Sequence, residues 1–206
     1  NYHGWPISPD IALFIVDAIN EKNYDAVIEF GSGTSTELFA KIAQMRQQQN
    51  QKTPKILSFD HLTEYYEKTK VILSRENLES FVQLECAPLI PMNLQDADYQ
   101  YYDCEQILRA FLGNLPNNAK ILVLVDGPPG ITCKHARYPA LPMIYKSLTQ
   151  SNSNQLDFVM DDAARLEEKE VVDKWKVYLD QNEYSYLESV PRICEKGLVL
   201  LSVFSD

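Results

Sequence analysis

The sequence lacks the features that mark membrane and secreted proteins. Its longest apolar runs, at 11–19 and 121–125, are shorter than the roughly 18 residues that span a bilayer. No basic start precedes an apolar stretch, so we expect no secretory leader. The four cysteines include no CxxC pair and are too sparse for a disulfide framework. We therefore expect a cytoplasmic protein with reduced, packed cysteines, no zinc site and no membrane partner.

Basic residues are also in the minority. The chain has 19 Lys and Arg against 29 Asp and Glu, a formal net charge of −10. Nucleic-acid-binding proteins usually carry a basic face, so this balance disfavours nucleic acid and favours a small-molecule acceptor. The 206 residues fit one domain, with 1–22 as an N-terminal lid and helix. The chain begins at Asn1, which leaves open whether residues precede it, and nothing indicates an oligomeric state.

Short apolar runs alternate with amphipathic stretches along the chain. Two runs, AVIEF and ILVLV, are continuously apolar, as strands are when helices cover both faces. The alternation predicts an α/β fold: a doubly wound, mostly parallel seven-stranded sheet with helices on both faces. About seven residues connect the last two strands, which indicates a C-terminal antiparallel pair. The predicted strands are Ala26–Phe30, Lys55–Asp60, Phe81–Cys86, Ile121–Asp126, Leu156–Met160, Tyr184–Val190 and Leu198–Phe204. The predicted helices begin near Pro9, Thr34, Thr63, Cys104, Ala140 and Ala164.

Two helix starts carry capping signals. Ser8 precedes Pro9 and Asp10, an order that predicts a capping hydroxyl, a proline in the first turn and an acid near the positive helix end. Thr34 and Glu37 have the spacing of a capping box. Both helices are therefore expected to begin at these residues.

The stretch EFGSGTST, residues 29–36, directly follows the first predicted strand. Glycines there let the backbone approach a ligand, and the next helix presents free N–H groups. Thr36 stands where a dinucleotide fingerprint has its third glycine or alanine, and no Walker A lysine follows. Glu29 suits a positively charged cofactor better than a pyrophosphate. The stretch predicts a cofactor site at the carboxyl edge of the sheet, and a turn with only a packing role is the alternative.

The residues Glu29-Phe-Gly-Ser-Gly-Thr resemble motif I (E/D-x-G-x-G-T/S) of the class I S-adenosylmethionine-dependent methyltransferases. The resemblance extends over nearly the whole chain, because acids end the second and fourth strands and an antiparallel pair closes the sheet. It implies that Glu29 and the backbone of Gly31 to Gly33 hold the methionyl end of S-adenosylmethionine. It also implies that Asp60, at the end of ILSFD, accepts hydrogen bonds from both ribose hydroxyls.

The resemblance also places further residues around the cofactor. His61 is implied to flank the adenine, although a surface histidine is an equal alternative. Ala87 follows the third strand, where the family contacts adenine and often has an acid that this chain lacks at that position. The other cofactor residues implied are Ser32, Thr34, Ser35, Thr36 and Asp126.

Three aspartates follow neighbouring strands. Asp126 ends the fourth, and Asp161 and Asp162 end the fifth, so we expect all three in one cleft. Like charges there raise each other's pKa, and a divalent cation such as Mg²⁺ relieves the conflict. The set resembles that of metal-dependent O-methyltransferases, which implies a metal on these three residues and catalytic roles for Asp126 and Asp161. Alternatively, Asp162 caps a helix, Asp126 braces the turn and Asp161 pairs with Arg165.

The segment GPPGITCKHARYPALP supplies candidate substrate residues. His135 is a candidate general base, although a lone loop histidine is more often non-catalytic. Arg137 is expected either to bind an anionic substrate group or to offset the local acids. Tyr138 and Trp5 are candidate substrate contacts, with Trp5 in a lid over the cleft or packed on the sheet edge.

The sequence therefore predicts an S-adenosylmethionine-dependent methyltransferase that methylates a small-molecule hydroxyl (sugar, polyketide-like or phenolic), either with or without the help of a divalent metal. Alignment of nucleophile, methyl and sulfur dominates such a reaction, so an obvious base is not required. One alternative is a nicotinamide-dependent oxidoreductase on the same fold class. Another is a non-catalytic cofactor-binding module.

Overall fold

A computed structural model describes residues 7–95, 97–148, 154–190 and 194–204. Seven strands form one sheet in the order β3-β2-β1-β6-β7-β9-β8. These strands are β1 (Ala26–Phe30), β2 (Lys55–Asp60), β3 (Val82–Cys86), β6 (Lys120–Val125), β7 (Gln155–Asp161), β8 (Ser185–Ser189) and β9 (Leu198–Phe204). The first five of them pair in parallel, and β9 runs antiparallel to both β7 and β8. The predicted seven-stranded sheet and its C-terminal antiparallel pair are confirmed.

Helices cover both faces of the sheet. The six α-helices of the described residues are α1 (Pro9–Lys22), α2 (Thr34–Gln48), α3 (Thr63–Arg75), α4 (Glu105–Gly113), α5 (Ala140–Ser147) and α6 (Leu166–Gln181). Apolar side chains of α1 and α2 pack on one face, and those of α4, α5 and α6 pack on the other. All five residues of the interior strand β1 are buried, which explains why AVIEF is almost wholly apolar. Within the described residues, no helix is long and apolar enough to cross a membrane.

A hairpin that the sequence analysis did not predict follows β3. It consists of β4 (Leu89–Leu94) and β5 (Ala97–Tyr102), which pair antiparallel with Leu89 opposite Tyr102. Three tyrosines of β5, at positions 99, 101 and 102, are buried in the core on the α4–α6 face. The hairpin therefore reaches the carboxyl edge of the large sheet.

The predicted capping box of α2 is wrong. Thr34 is the first residue of the helix, and Gly33 occupies the capping position. The Thr36 hydroxyl accepts a hydrogen bond from the Gly33 N–H at 2.9 Å. Glu37 pairs instead with Lys41 one turn later, at 2.5 Å. Thr36 therefore accepts the hydrogen bond from the backbone N–H of the capping residue, which the predicted capping box gives to Glu37.

The helix α1 begins at Pro9 after Ser8, as the sequence predicts, but Ser8 does not cap it. The Ser8 hydroxyl donates to the carboxylate of Asp10 and makes no bond to a backbone N–H of the helix. The other oxygen of Asp10 accepts from the backbone N–H of Glu195 at 2.7 Å. Asp10 therefore connects the start of α1 to the segment before β9. The aromatic segment with Trp5, predicted as a lid, lies outside the described residues.

Candidate functional site

A cleft of about 240 Å³ opens at the carboxyl ends of β1, β2 and β6. It lies where the chain turns from one half of the sheet to the other, which is the usual ligand site of such folds. Five residues predicted from sequence line it: Gly31, Ser32, Asp60, His61 and Asp126. The lining residues that the prediction missed are Leu62, Tyr65, Tyr102, Gly127, Pro129 and Ile131. A larger groove of about 740 Å³ lies at the opposite, amino-terminal ends of β2 and β3, away from all of these side chains.

The glycine turn after β1 packs directly against the loop after β6. Gly31 has φ of +106°, and a Cβ there would lie 3.1 Å from the backbone nitrogen of Gly127. The N–H groups of Gly31 and Ser32 both donate to the carbonyl of Phe59, each at 3.0 Å. Only glycine fits this position without strain, so the first glycine of the motif is required by the turn itself.

Glu29 lies beneath this turn. It is fully buried, and its Oε2 accepts hydrogen bonds from the hydroxyls of Thr36 and Ser58, each at 2.5 Å. Because Thr36 also accepts from the Gly33 N–H, a chain of hydrogen bonds joins the turn to the carboxylate. Burial raises the pKa of Glu29 to about 7, and the nearby hydroxyls of Ser35, Ser58 and Thr36 oppose the rise.

Glu29 stabilises the turn through Thr36 and does not contact the cleft directly. Its side chain does not line the cleft, and its Oε1 has no hydrogen-bond partner among the described residues. A direct contact with the cofactor's ammonium group, which the resemblance implies, stays a prediction. The same chain of bonds explains why threonine replaces the third glycine of a dinucleotide motif, because the Thr36 hydroxyl carries the bond from Gly33 to Glu29.

Asp60 is held in the wall of the cleft by two hydrogen bonds. Its Oδ2 accepts from the Ser32 hydroxyl at 2.8 Å, and its Oδ1 accepts from the Leu62 N–H at 2.9 Å. Each oxygen has a further lone pair for a ligand hydroxyl. The ring of His61 lies 3.8 Å from Oδ1, and burial lowers the pKa of His61 against the opposing effect of Asp60. The cleft therefore presents an oriented carboxylate beside a histidine that favours its neutral form.

The remaining predicted cofactor residues do not line the cleft; they are Gly33, Thr34, Ser35, Thr36 and Ala87. Thr34, Ser35 and Thr36 form the first turn of α2, and none of them lines the cleft. Ala87 is buried, and its N–H donates to the carbonyl of Asp60 at 2.7 Å. Ala87 therefore fixes the end of β2. Its predicted contact with adenine stays a prediction.

The three aspartates do converge, and a buried arginine lies among them. Arg137 Nη2 is 3.3 Å from both Asp126 Oδ1 and Asp162 Oδ2. Its Nη1 donates to the carbonyl of Asp161 at 2.9 Å and lies 3.8 Å from Glu168 Oε1. Burial acts to lower the pKa of Arg137, but the surrounding carboxylates outweigh burial and raise it. Arg137 therefore offsets the local acids, one of its two predicted roles.

The aspartates themselves keep different exposures. Asp126 lines the cleft, and burial raises its pKa, with Arg137 opposing and Asp161 and Asp162 adding to the rise. The Asp161 side chain accepts from the Asp162 N–H at 2.6 Å, and burial likewise raises its pKa. Asp162 also pairs with Arg165 at 2.9 Å. Of the three, Asp126 is the carboxylate that a ligand in the cleft can reach.

The residues present do not fit the predicted divalent metal. Within the part of the chain that the structure describes, no group of three or more His, Cys, Asp or Glu side chains is arranged to hold a metal ion. The guanidinium of Arg137 stands between Asp126 and Asp162, where a metal bridging those two carboxylates was expected. Because Arg137 already supplies the positive charge, the repulsion that suggested a metal is relieved without one.

Two other predicted residues of the loop after β6, His135 and Tyr138, do not line the cleft. The His135 Nε2 lies 2.6 Å from Glu170 Oε2, and its backbone N–H donates to Glu167. The Tyr138 hydroxyl donates to the side-chain oxygen of Gln95 at 2.7 Å, between the hairpin and α6. Neither lines the cleft, so their placement does not favour contact with a substrate there.

Comparison with solved structures finds the same fold in several methyltransferases, whereas no protein-family model and no curated protein matches the sequence. The Podospora anserina methyltransferase PaMTH1, with S-adenosylhomocysteine bound, has 12% identity and a TM-score of 0.61, over 98% of this chain and 80% of that one. An O-methyltransferase from Bacillus cereus, also with S-adenosylhomocysteine, has 10% identity and a TM-score of 0.61, over 97% and 83%. The precorrin-6Y C5,15-methyltransferase of Geobacter metallireducens has 10% identity and a TM-score of 0.55, over 100% and 93%. This chain therefore has the fold of the class I methyltransferases.

Proposed function

We propose that this protein is an S-adenosylmethionine-dependent methyltransferase that binds its cofactor in the cleft. The observation that carries the proposal is the pairing of the glycine turn with Asp60. Gly31 brings its backbone against Gly127, and Ser32 fixes the Asp60 carboxylate at the next strand end. The fold shared with methyltransferases that bind S-adenosylhomocysteine supports the same cofactor.

The lining residues fit the parts of this cofactor. Asp60 would accept the ribose hydroxyls, and the turn at Gly31 and Ser32 would lie along the methionyl part. His61, Leu62 and Tyr65 offer a flat ring and apolar surface of the kind that an adenine base requires. The bound cofactor would supply a methyl group already activated on a positively charged sulfur. The chain itself then has to orient the acceptor, exclude water and take up one proton.

Asp126 is the residue that we propose as the proton acceptor. It lines the cleft, and its raised pKa makes it a stronger base than an ordinary carboxylate. Arg137 holds one of its oxygens from the buried side, at 3.3 Å, which fixes the orientation of the carboxylate. The proton of the acceptor hydroxyl would pass to Asp126, and no step requires a metal.

The acceptor that we propose is a neutral small molecule with a hydroxyl group, such as a phenolic or polyketide-like compound or a sugar. Ile131, in the loop after β6, lines the cleft with a side chain that is 97% exposed. Such an exposed apolar side chain favours an acceptor with an apolar body. Arg137 does not line the cleft, and both of its terminal nitrogens already contact oxygens of neighbouring residues, so we do not expect it to bind an anionic group of the acceptor. The four free thiols accord with a cytoplasmic location.

The test is the release of S-adenosylhomocysteine, measured by mass spectrometry, with a panel of phenolic, polyketide-like and sugar acceptors in EDTA and in Mg²⁺. We expect turnover in EDTA, and we expect kcat/KM to rise with pH through the raised pKa of Asp126. Asp126→Asn should lower kcat by about 10²–10⁴-fold while cofactor affinity stays within twofold. Asp103→Asn, at an exposed aspartate beside the hairpin, is the matched control.

Two results would count against the proposal. Cofactor binding without turnover of any acceptor would favour the non-catalytic binding module. Binding of NADH in place of S-adenosylmethionine would favour the oxidoreductase.

A further inference from the structure

Tyr102, at the end of the unpredicted hairpin, has a rigidly held ring in the wall of the cleft. Its ring packs at 5.7 Å from that of Phe30 and at 6.3 Å from that of Phe59. The rings of Tyr101 and His61 meet it edge-on, at 5.1 Å and 5.9 Å. Four aromatic contacts leave the ring little freedom, so the position of its hydroxyl is set before any ligand binds.

The hydroxyl of Tyr102 is buried and has no hydrogen-bond partner among the described residues. It lies beside Gly127, where a Cβ would approach it closer than 3.0 Å. Tyr102, Gly127, Asp60 and Asp126 all line the same cleft. A buried hydroxyl without a partner is unfavourable, and a ligand that supplies an acceptor there removes the penalty.

The surroundings also decide which role the hydroxyl can take. Burial raises the pKa of Tyr102 well above 10, and the charges of Asp60 and Asp126 add to the rise. The phenol therefore keeps its proton at any pH at which the protein functions. It can donate a hydrogen bond, but it cannot act as a general base.

We propose that the Tyr102 hydroxyl donates a hydrogen bond to an oxygen of the bound cofactor, which makes Tyr102 a cofactor-binding residue. This proposal rests on the proposed function. The hydroxyl stands in the wall that also carries the proposed ribose-binding and proton-accepting carboxylates, Asp60 and Asp126. The cofactor has acceptor oxygens on its sugar and on its amino-acid carboxylate. Either group would accept a hydrogen bond from a phenol.

The experiment compares Tyr102→Phe with Tyr101→Phe by calorimetric titration with S-adenosylhomocysteine. Tyr101 is the matched control, because its hydroxyl is also buried and unpartnered among the described residues but Tyr101 does not line the cleft. We expect Tyr102→Phe to weaken binding by about five- to tenfold, as loss of one hydrogen bond does, and Tyr101→Phe to stay within twofold. Both variants should keep or raise the melting temperature, since neither removes a protein hydrogen bond.

The outcomes separate this proposal from the proposed function. If the wild type binds S-adenosylhomocysteine and Tyr102→Phe binds it equally well, the role of Tyr102 is refuted and the proposed function stands. If the wild type does not bind it, both are refuted. Titration with 5′-methylthioadenosine, which lacks the carboxylate, identifies the acceptor oxygen. If Tyr102→Phe weakens binding of this compound as much as it weakens binding of S-adenosylhomocysteine, the acceptor is on the sugar. If Tyr102→Phe does not weaken its binding, the acceptor is the carboxylate.

Discussion

Replacing Arg137 with methionine tests whether its guanidinium stabilises the folded protein by neutralising the carboxylates of Asp126 and Asp162. Its side chain is 4% exposed and lies 3.3 Å from carboxylate oxygens of both Asp126 and Asp162. Methionine keeps much of the volume but removes the buried cation between these carboxylates, which leaves only the more exposed Arg165 beside Asp162. Removing one partner of a buried ion pair costs roughly 3–5 kcal/mol. In a protein of this size, that loss lowers the melting temperature by roughly 6–20 °C.

Arg165→Met is the matched control, because it removes a second arginine from the same cluster. Arg165 Nη1 lies 2.9 Å from Asp162 Oδ2 and 3.7 Å from Glu168 Oε1, but its side chain is 60% exposed. Exposed ion pairs contribute about 1 kcal/mol or less. We therefore expect Arg165→Met to lower the melting temperature by at most about 4 °C.

The penalty for Arg137→Met also depends on pH. Burial raises the pKa of Asp126 from its ordinary 3.8 to about 8. The folded protein therefore loses stability as the pH rises from 3.8 to about 8. Without Arg137, which opposes the rise, the folded-state pKa increases further. Because the wild-type pKa is already about 8, the difference between the two proteins appears above that pH, and urea unfolding should show a larger Arg137→Met penalty at about pH 9.5 than at about pH 7. A penalty no larger than that of Arg165→Met, or one equal at both pH values, would refute the reasoning, as would stabilisation of the wild type by Mg²⁺.

Two further predictions concern the turn and its support. Gly127→Ala places a methyl group against the Tyr102 hydroxyl, and we expect it to lower the unfolding free energy measured in urea by about 1–3 kcal/mol. Gly33→Ala is the control, and it should be tolerated because nothing lies within 4 Å of a Cβ at that position. Similar effects of the two substitutions would contradict the packing of the turn. Glu29→Gln should gain stability over the wild type as pH rises from about 5 to about 8, because the rise in the Glu29 pKa from 4.5 to about 7 costs the wild type about 3 kcal/mol once the group ionises. A difference in unfolding free energy that does not change with pH would show that Glu29 titrates normally.

The parts of the fold and site that sequence predicted well are those fixed by local patterns. The run AVIEF is apolar because β1 is buried in the interior of the sheet, and a turn with Gly31 must follow it. Asp60 was predicted because it ends a second buried run, and parallel strands end at one edge. Each of these features needs only a few consecutive residues.

The features that sequence did not predict depend on distant contacts. The β4–β5 hairpin is short and half exposed, and Pro91 interrupts the apolar run of β4, so the sequence there does not read as a strand. Its one signal was the alternation ADYQYY, whose tyrosines become buried only against the large sheet. The position of Arg137 between Asp126 and Asp162 likewise depends on how an irregular loop folds, so the sequence left open whether Arg137 or a metal offsets the acids.

Calorimetric titration of the purified protein with S-adenosylmethionine tests the central claim most directly. We predict binding in the micromolar range that Asp60→Ala weakens by about tenfold or more, because the side chain that would accept the ribose hydroxyls is lost. Asp173→Ala, at a largely exposed aspartate on α6, should bind as the wild type does. No heat and no thermal shift with S-adenosylmethionine, together with binding of NADH, would contradict the claim and favour the oxidoreductase.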